Sequence, residues 1–195
     1  MTDGITPSQT VGPFYSFALT PETGGSFSND LTVPAITGQR IRIVGRVTDG
    51  DGAPIGDAII EIWQADPDGR YNHPLDQPRG SNTAFTGFGR APTNPAGEFS
   101  FTTFKPGAVP AAGQGPDGKM QAPHLSVSVF ARGFLNRLLT RIYFPDEPAN
   151  GQDPVLALVP AEARASLIAT PEPETATYRF DIRVQGEQET VFFAC

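Results

Sequence analysis

Few residues in this chain could do chemistry, so they are quickly weighed. The 195 residues contain two His, four Tyr and one Cys. His, Tyr and carboxylate oxygens together suit hard or intermediate metal ions when they converge from separate strands or loops. Tyr71, His73 and His124 are the residues of that kind that stand near loop and strand boundaries. Spacing alone favours plainer roles: Tyr71 as a half-buried aromatic, His73 as a solvated loop residue, His124 as a hydrogen-bonded core residue. Nucleophilic catalysis has less support. Cys195 is the last residue, and terminal residues are poorly held. There is no G-x-S-x-G elbow. Ser126 and Ser128 would share a strand face with His124, which reads as a packed, hydrogen-bonded pair with no third group to orient it. Arg132, in FARGF, follows a strand and precedes a glycine. An arginine there is placed to grip a carboxylate with two parallel hydrogen bonds, or to sit solvated on the surface.

Composition narrows the classes. One cysteine excludes an internal disulfide framework or a cysteine-rich zinc site. A formal charge of -7 disfavours nucleic acid and anionic membrane surfaces, both of which select for Lys and Arg. No apolar run approaches the ~20 residues that span a bilayer. The opening MTDGITPSQT has neither a basic nor an apolar leader segment, so the expected location is the cytoplasm. Gly 21 and Pro 20 disfavour helix interiors and argue for short strands joined by turns.

The elements that must position these residues follow from periodicity. RIRIVGRVT at 40–48 alternates polar and apolar residues as a strand does, and AIIEIW at 58–63 resumes after a dense turn signal. A second hairpin is expected around NPAGEFSFTTF, then a long loop over KPGAVPAAGQGPDGKMQAP. Strands are expected at His124–Phe130 and Leu138–Phe144, a helix over Pro160–Ile168, and two closing strands in TYRFDIRVQ and TVFFAC. This predicts a mainly β, single-domain sandwich of mixed strands with long loops and one or two short helices. Residues 1–38 carry four prolines and no periodicity. Phe14, Tyr15, Phe17 and Leu19 mark them as an arm laid over another surface rather than a tail, with the sandwich domain spanning 39–195.

Several segments together resemble the aromatic-ring-opening intradiol dioxygenases, the protocatechuate 3,4-dioxygenase group in particular. They are TPSQTVGPF (6–14), IEIWQADPDGRY (60–71), FGR (88–90), GEFSFTTFKPG (97–107), APHLSVSVFARG (122–133), LLTRIYFPDE (138–147) and YRFDIRVQGEQETVFF (178–193), in the family's order. The resemblance implies a mixed β-sandwich. It also implies a non-haem Fe(III) held in catalytic chains by two Tyr and an H-x-H pair. Tyr71 and His124 match two of those positions, whereas Val109 and Ser126 occupy the other two. Gln121 stands near a family arginine. Neither Val nor Ser replaces an anionic tyrosinate or an imidazole, so two ligands would leave a trication largely to water. Tyr71 and His124 then become ordinary polar residues, free to hydrogen-bond to one another.

The pattern is similar to that of the iron-free α-type subunits of heteromeric members. The resemblance implies a homologous iron-binding β subunit as partner in an (αβ)n assembly, with Fe(III) held by that partner. It implies 3,4-dihydroxybenzoate and O2 as substrates and 3-carboxy-cis,cis-muconate as product. Thr10, Gly12 and Pro13, with Phe14 and Tyr15 close by, would border the partner's pocket, and Arg132 would add positive charge toward the ring carboxylate. The alternatives are a stand-alone iron dioxygenase acting on a related catechol and a non-catalytic β-sandwich binding module.

Overall fold

A computed structural model describes residues 7–20, 28–79, 84–111 and 118–194. The expectations for Thr6 and Cys195, and for the side chain of Phe17, lie outside the described residues. Two sheets face each other. In the first, β1 (Arg40–Thr48) is central. It pairs antiparallel with β4 (Glu98–Phe104) along one edge. Along the other it pairs parallel with β10 (Thr177–Arg179) and β11 (Ile182–Arg183), and β10 pairs in turn with β9 (Thr170–Pro171). The second sheet is antiparallel, in the order β3 (Phe88–Pro92), β2 (Ile59–Trp63), β7 (His124–Phe130), β8 (Leu138–Tyr143). β5 (Val109–Pro110) and β6 (Met120–Gln121) form a small separate ribbon.

The core is what period-2 patterning demands. Ile41, Ile43 and Val47 of β1 and Phe99 and Phe101 of β4 pack against Ile60 and Ile62 of β2, Leu125, Val127 and Val129 of β7, and Ile142 of β8. Burying each such side chain contributes about 1.5–3 kcal/mol relative to leaving it in water. Their sequence neighbours must then point outward. On the second sheet these are Glu61, Trp63, Ser126, Ser128 and Arg141, so every polar group with chemical potential on those strands shares the outer face. A second cluster of Ala122, Tyr143, Leu156, Val159 and Leu167 lies where the segment after β8 folds back over one end of that face.

The strand spans at 40–48, 58–63, 124–130 and 138–144 are as the sequence predicts, to within a residue. Four expectations are corrected. The turn inside NPAGEF forms, with Asn94 N–H donating to Glu98 O (2.9 Å) and Gly97 N–H to Asn94 O (2.8 Å). However, β3 and β4 belong to different sheets, so the connection is a crossover rather than a hairpin. The helix expected over 160–168 is only a 3-10 turn at Arg164–Leu167, because nine residues with a buried Leu167 are held by tertiary contact rather than by helical bonding. Arg164 instead caps loop carbonyls, Nε donating to Val159 O at 2.8 Å. TYRFDIRVQ is split into β10 and β11. At the jog between them the Phe180 carbonyl presses on Gly45 of β1, where any Cβ would strike it. Residues 190–194 form no strand and are held by isolated bonds, such as Phe193 N–H to Leu139 O at 2.8 Å.

The arm is anchored where it is described. After Pro13 a turn leads into α1 (Tyr15–Leu19), with Tyr15 N–H donating to Gly12 O at 3.2 Å. No helix among the described residues is long and apolar enough to cross a membrane.

Candidate functional site

The loop carrying Tyr71 is built by one aspartate. Asp66, 3% exposed, accepts from the Asp68 and Arg70 amides at 2.9 Å each through Oδ1, closing a tight turn. Its own carbonyl accepts from Gly69 N–H and Gly107 N–H, both at 2.9 Å. The second of these ties the 66–70 turn to the KPG segment. Gly69 has φ +75° and faces the Ala108 carbonyl, so neither its backbone conformation nor the space beside it admits a side chain. This contact brings Tyr71 and Val109 into one hollow of about 450 Å³, shared with Trp63, His73, Leu75 and Asp76. Tyr71 stacks on Trp63 at 5.9 Å between ring centroids and 6° between planes, and its amide donates to Asp76 Oδ2 at 2.6 Å. His73 is exposed and accepts the Leu75 amide at Nδ1, 3.2 Å.

His124 opens β7 and is 3% exposed. Its Nδ1 lies 2.8 Å from the Ala122 carbonyl and its ring sits 5.8 Å from that of Tyr143. His124 thus ties its Nδ1 to its own chain two residues back. Burial pushes the imidazole down to about 4, with the Arg141 charge adding to the effect, so His124 is neutral at ordinary pH. Ser126 faces Trp63 on β2 and Arg141 on β8, and opens into a neighbouring hollow rather than the one holding Tyr71 and Val109.

The four positions do not fit an iron centre. Tyr71 and the remaining nitrogen of His124 are the only strong donors among them. Val109, 3% exposed, is an aliphatic wall, and Ser126 offers a neutral hydroxyl. Among the described residues no three His, Cys, Asp or Glu stand close enough together to hold a metal ion.

A different group of predicted residues does converge. At the far end of β7, Thr10 Oγ1 accepts the Gly133 amide at 2.8 Å, and Ser8 Oγ donates to Asn136 Oδ1 at 3.1 Å. The Tyr15 hydroxyl donates a divided bond to Asp57 O (2.5 Å) and Phe130 O (3.0 Å). Arg132 is ion-paired through Nε with Asp57. The Tyr15 hydroxyl is pushed up to about 12, first by burial and then by the Asp57 carboxylate, against the opposing Arg132 charge, so it stays a donor. Gly12 has open space where a Cβ would stand, Pro13 follows it, and Phe14 is 76% exposed. Asp57, which joins this group, reads in the sequence only as one more polar residue of a turn. Arg141 is marked in the sequence only as a cation in a mostly apolar strand, in register with the outward positions.

A mixed sandwich with this loop order, and with half-filled ligand positions at the start of one central strand, defines a class. The family model described as Dioxygenase matches residues 11–186, and the chain belongs to that family. More particularly, it is 41% identical over 199 residues to the protocatechuate 3,4-dioxygenase alpha chain of Burkholderia cepacia, covering 96% of both chains. It is 37% identical over 180 residues to the beta chain from the same organism, covering 85% of this chain and 75% of that one. Among solved structures, a dioxygenase domain from Streptomyces sp. SirexAA-E superposes with a TM-score of 0.61 at 24% identity, covering 93% of this chain and 98% of the other, which speaks for the fold.

Two outcomes follow. The His124 pKa lies below its ordinary 6.5, so the unfolded chain takes up a proton first as pH falls. That contribution to stability is whole above pH 6.5 and drains away between about 6.5 and 4, up to about 3 kcal/mol. Urea midpoints measured across this range should fall in the native chain and fall much less in His124→Gln. Tyr15→Phe removes the divided bond, at a cost of about 1 kcal/mol. Hydrogen exchange should rise over the arm residues 7–20 while the amides of β1, β2 and β7 keep their protection.

Proposed function

We propose that this chain is the iron-free α-type subunit of a heteromeric protocatechuate 3,4-dioxygenase, paired with a homologous β-type subunit that holds Fe(III). The complex opens 3,4-dihydroxybenzoate with O2 between the two hydroxyl-bearing carbons, giving 3-carboxy-cis,cis-muconate and incorporating both oxygen atoms. The observation that carries this reading is a separation. β7 runs from His124 to Phe130 at about 3.4 Å per residue, so the arm cluster at its end is about 20 Å from the ligand position at His124 and about 14 Å from the one that Ser126 occupies. Residues that wall a pocket there serve a metal on another chain. The match to alpha chains along nearly the whole length supports the same reading, as does the beta-chain match.

Within such a complex this chain's residues bind and orient. Gly12 lets the arm's backbone approach a ring closely, and Pro13 stiffens the turn. Arg132 is held at Nε by Asp57, which leaves its outer guanidinium edge for the substrate carboxylate. Phe14, exposed in this chain alone, covers apolar surface at the subunit interface.

Deleting residues 1–15 in the assembled complex should lower kcat/KM for 3,4-dihydroxybenzoate by about tenfold or more while iron content stays unchanged. Full activity after the deletion would refute the pocket-lining role.

A further inference from the structure

The outer face of the second sheet holds a feature that neither the arm nor the metal positions explain. Four residues stand in one row across it: Phe88 opposite Trp63, Trp63 opposite Ser126, and Ser126 opposite Arg141. In the next row Arg90 faces Glu61 and Glu61 faces Ser128. Arg90 apart, these residues line a hollow of about 320 Å³ with Val155 and Phe193 at its rim, at the small end of the range of roughly 300–1,000 Å³ for ligand sites. Room exists there because Ser126 is short. A ring at that position, as in an H-x-H pair, would reach into the same space.

The charges in the hollow do not cancel. Glu61 is spent on Arg90, whose Nε and Nη2 donate to Glu61 Oε1 at 2.8 and 2.5 Å. Arg141 uses only Nη1, donating to Gln121 Oε1 at 2.7 Å and to the Tyr143 hydroxyl at 3.2 Å. These two bonds brace the guanidinium. Its Nε and Nη2 make no hydrogen bond among the described residues, and neither do the hydroxyls of Ser126 and Ser128. A half-buried, braced cation with a planar two-donor edge free, two unengaged hydroxyls and aromatic walls is complementary to a flat anion.

We propose that this hollow binds a small aromatic monocarboxylate without a metal, the carboxylate on the free edge of Arg141 and the serine hydroxyls, the ring against Trp63, Phe88 and Phe193. The site stands on this chain's residues alone and does not depend on the subunit pairing proposed above.

Trp63 is the single tryptophan of the chain and lines the hollow, so its emission reports on the site. Titrating the full chain with benzoate should change that emission saturably. Equilibrium dialysis with radiolabelled benzoate should give the same dissociation constant and about one molecule per chain. Benzamide, the neutral analogue, should bind at least about tenfold more weakly to the native chain, and benzoate should lose as much with Arg141→Met. Ser126→Leu, which fills the space and leaves the charge, should abolish binding even if Arg141→Met fails to fold. Dialysis that shows no saturable benzoate binding up to about 10 mM overturns the proposal, as does unchanged affinity in a folded Arg141→Met or Ser126→Leu chain.

Discussion

A strand shows its side chains alternately to two sides, and here one side is closed. The inner faces of the two sheets must interlock Ile41, Ile43, Phe101, Ile60, Ile62, Val127 and their neighbours without gaps, which leaves chemistry the outer faces and the strand ends. Each feature of interest obeys this constraint. Trp63, Ser126 and Arg141 fall on the outer face because Ile62, Val127 and Ile142 fall on the inner one. His124 and Arg132 sit at opposite ends of one strand, and the length of that strand separates two roles that a single catalytic chain could not combine at one point.

Two of the four positions where the family likeness implies iron ligands carry Val and Ser, and the scaffold around all four is well formed. The Asp66 turn still docks on the KPG segment through Gly107, and Tyr71 is still delivered to the mouth of the hollow. The donor set falls short, with an aliphatic side chain at 109 and a hydroxyl at 126. The surviving His124 is buried and its ring is tied to Ala122, and Tyr71 is stacked on Trp63. The freed volume is not simply filled. Arg141, braced by Gln121 and Tyr143, carries fixed positive charge beside Ser126.

Much of this was legible from the residues. Alternation located the four long strands, because burial on one face leaves a period-2 trace in the sequence. The Gly and Pro positions marked turns correctly. What failed depended on contacts distant in the chain. Nothing in NPAGEF says that the strands on its two sides join different sheets, since the turn is the same in a hairpin and a crossover. PAEARASLI has helix-forming residues, but its short length lets Leu167 and the Arg164 carbonyl contacts override them. At the site, Thr10 was legible through family likeness alone, and Arg132 also from its place between a strand end and a glycine. The pairing of Arg132 with Asp57 was not, because the two stand 75 positions apart in the chain.

The central claim is that this chain shapes a metal site it does not own. Iron analysis tests it directly, on the full chain purified alone and on the complex with its iron-bearing homologue. The account predicts essentially no iron in the chain alone and about one ion per pair in the complex, carried by the partner. Near-stoichiometric iron in the chain alone, lost on Tyr71→Phe, would contradict it.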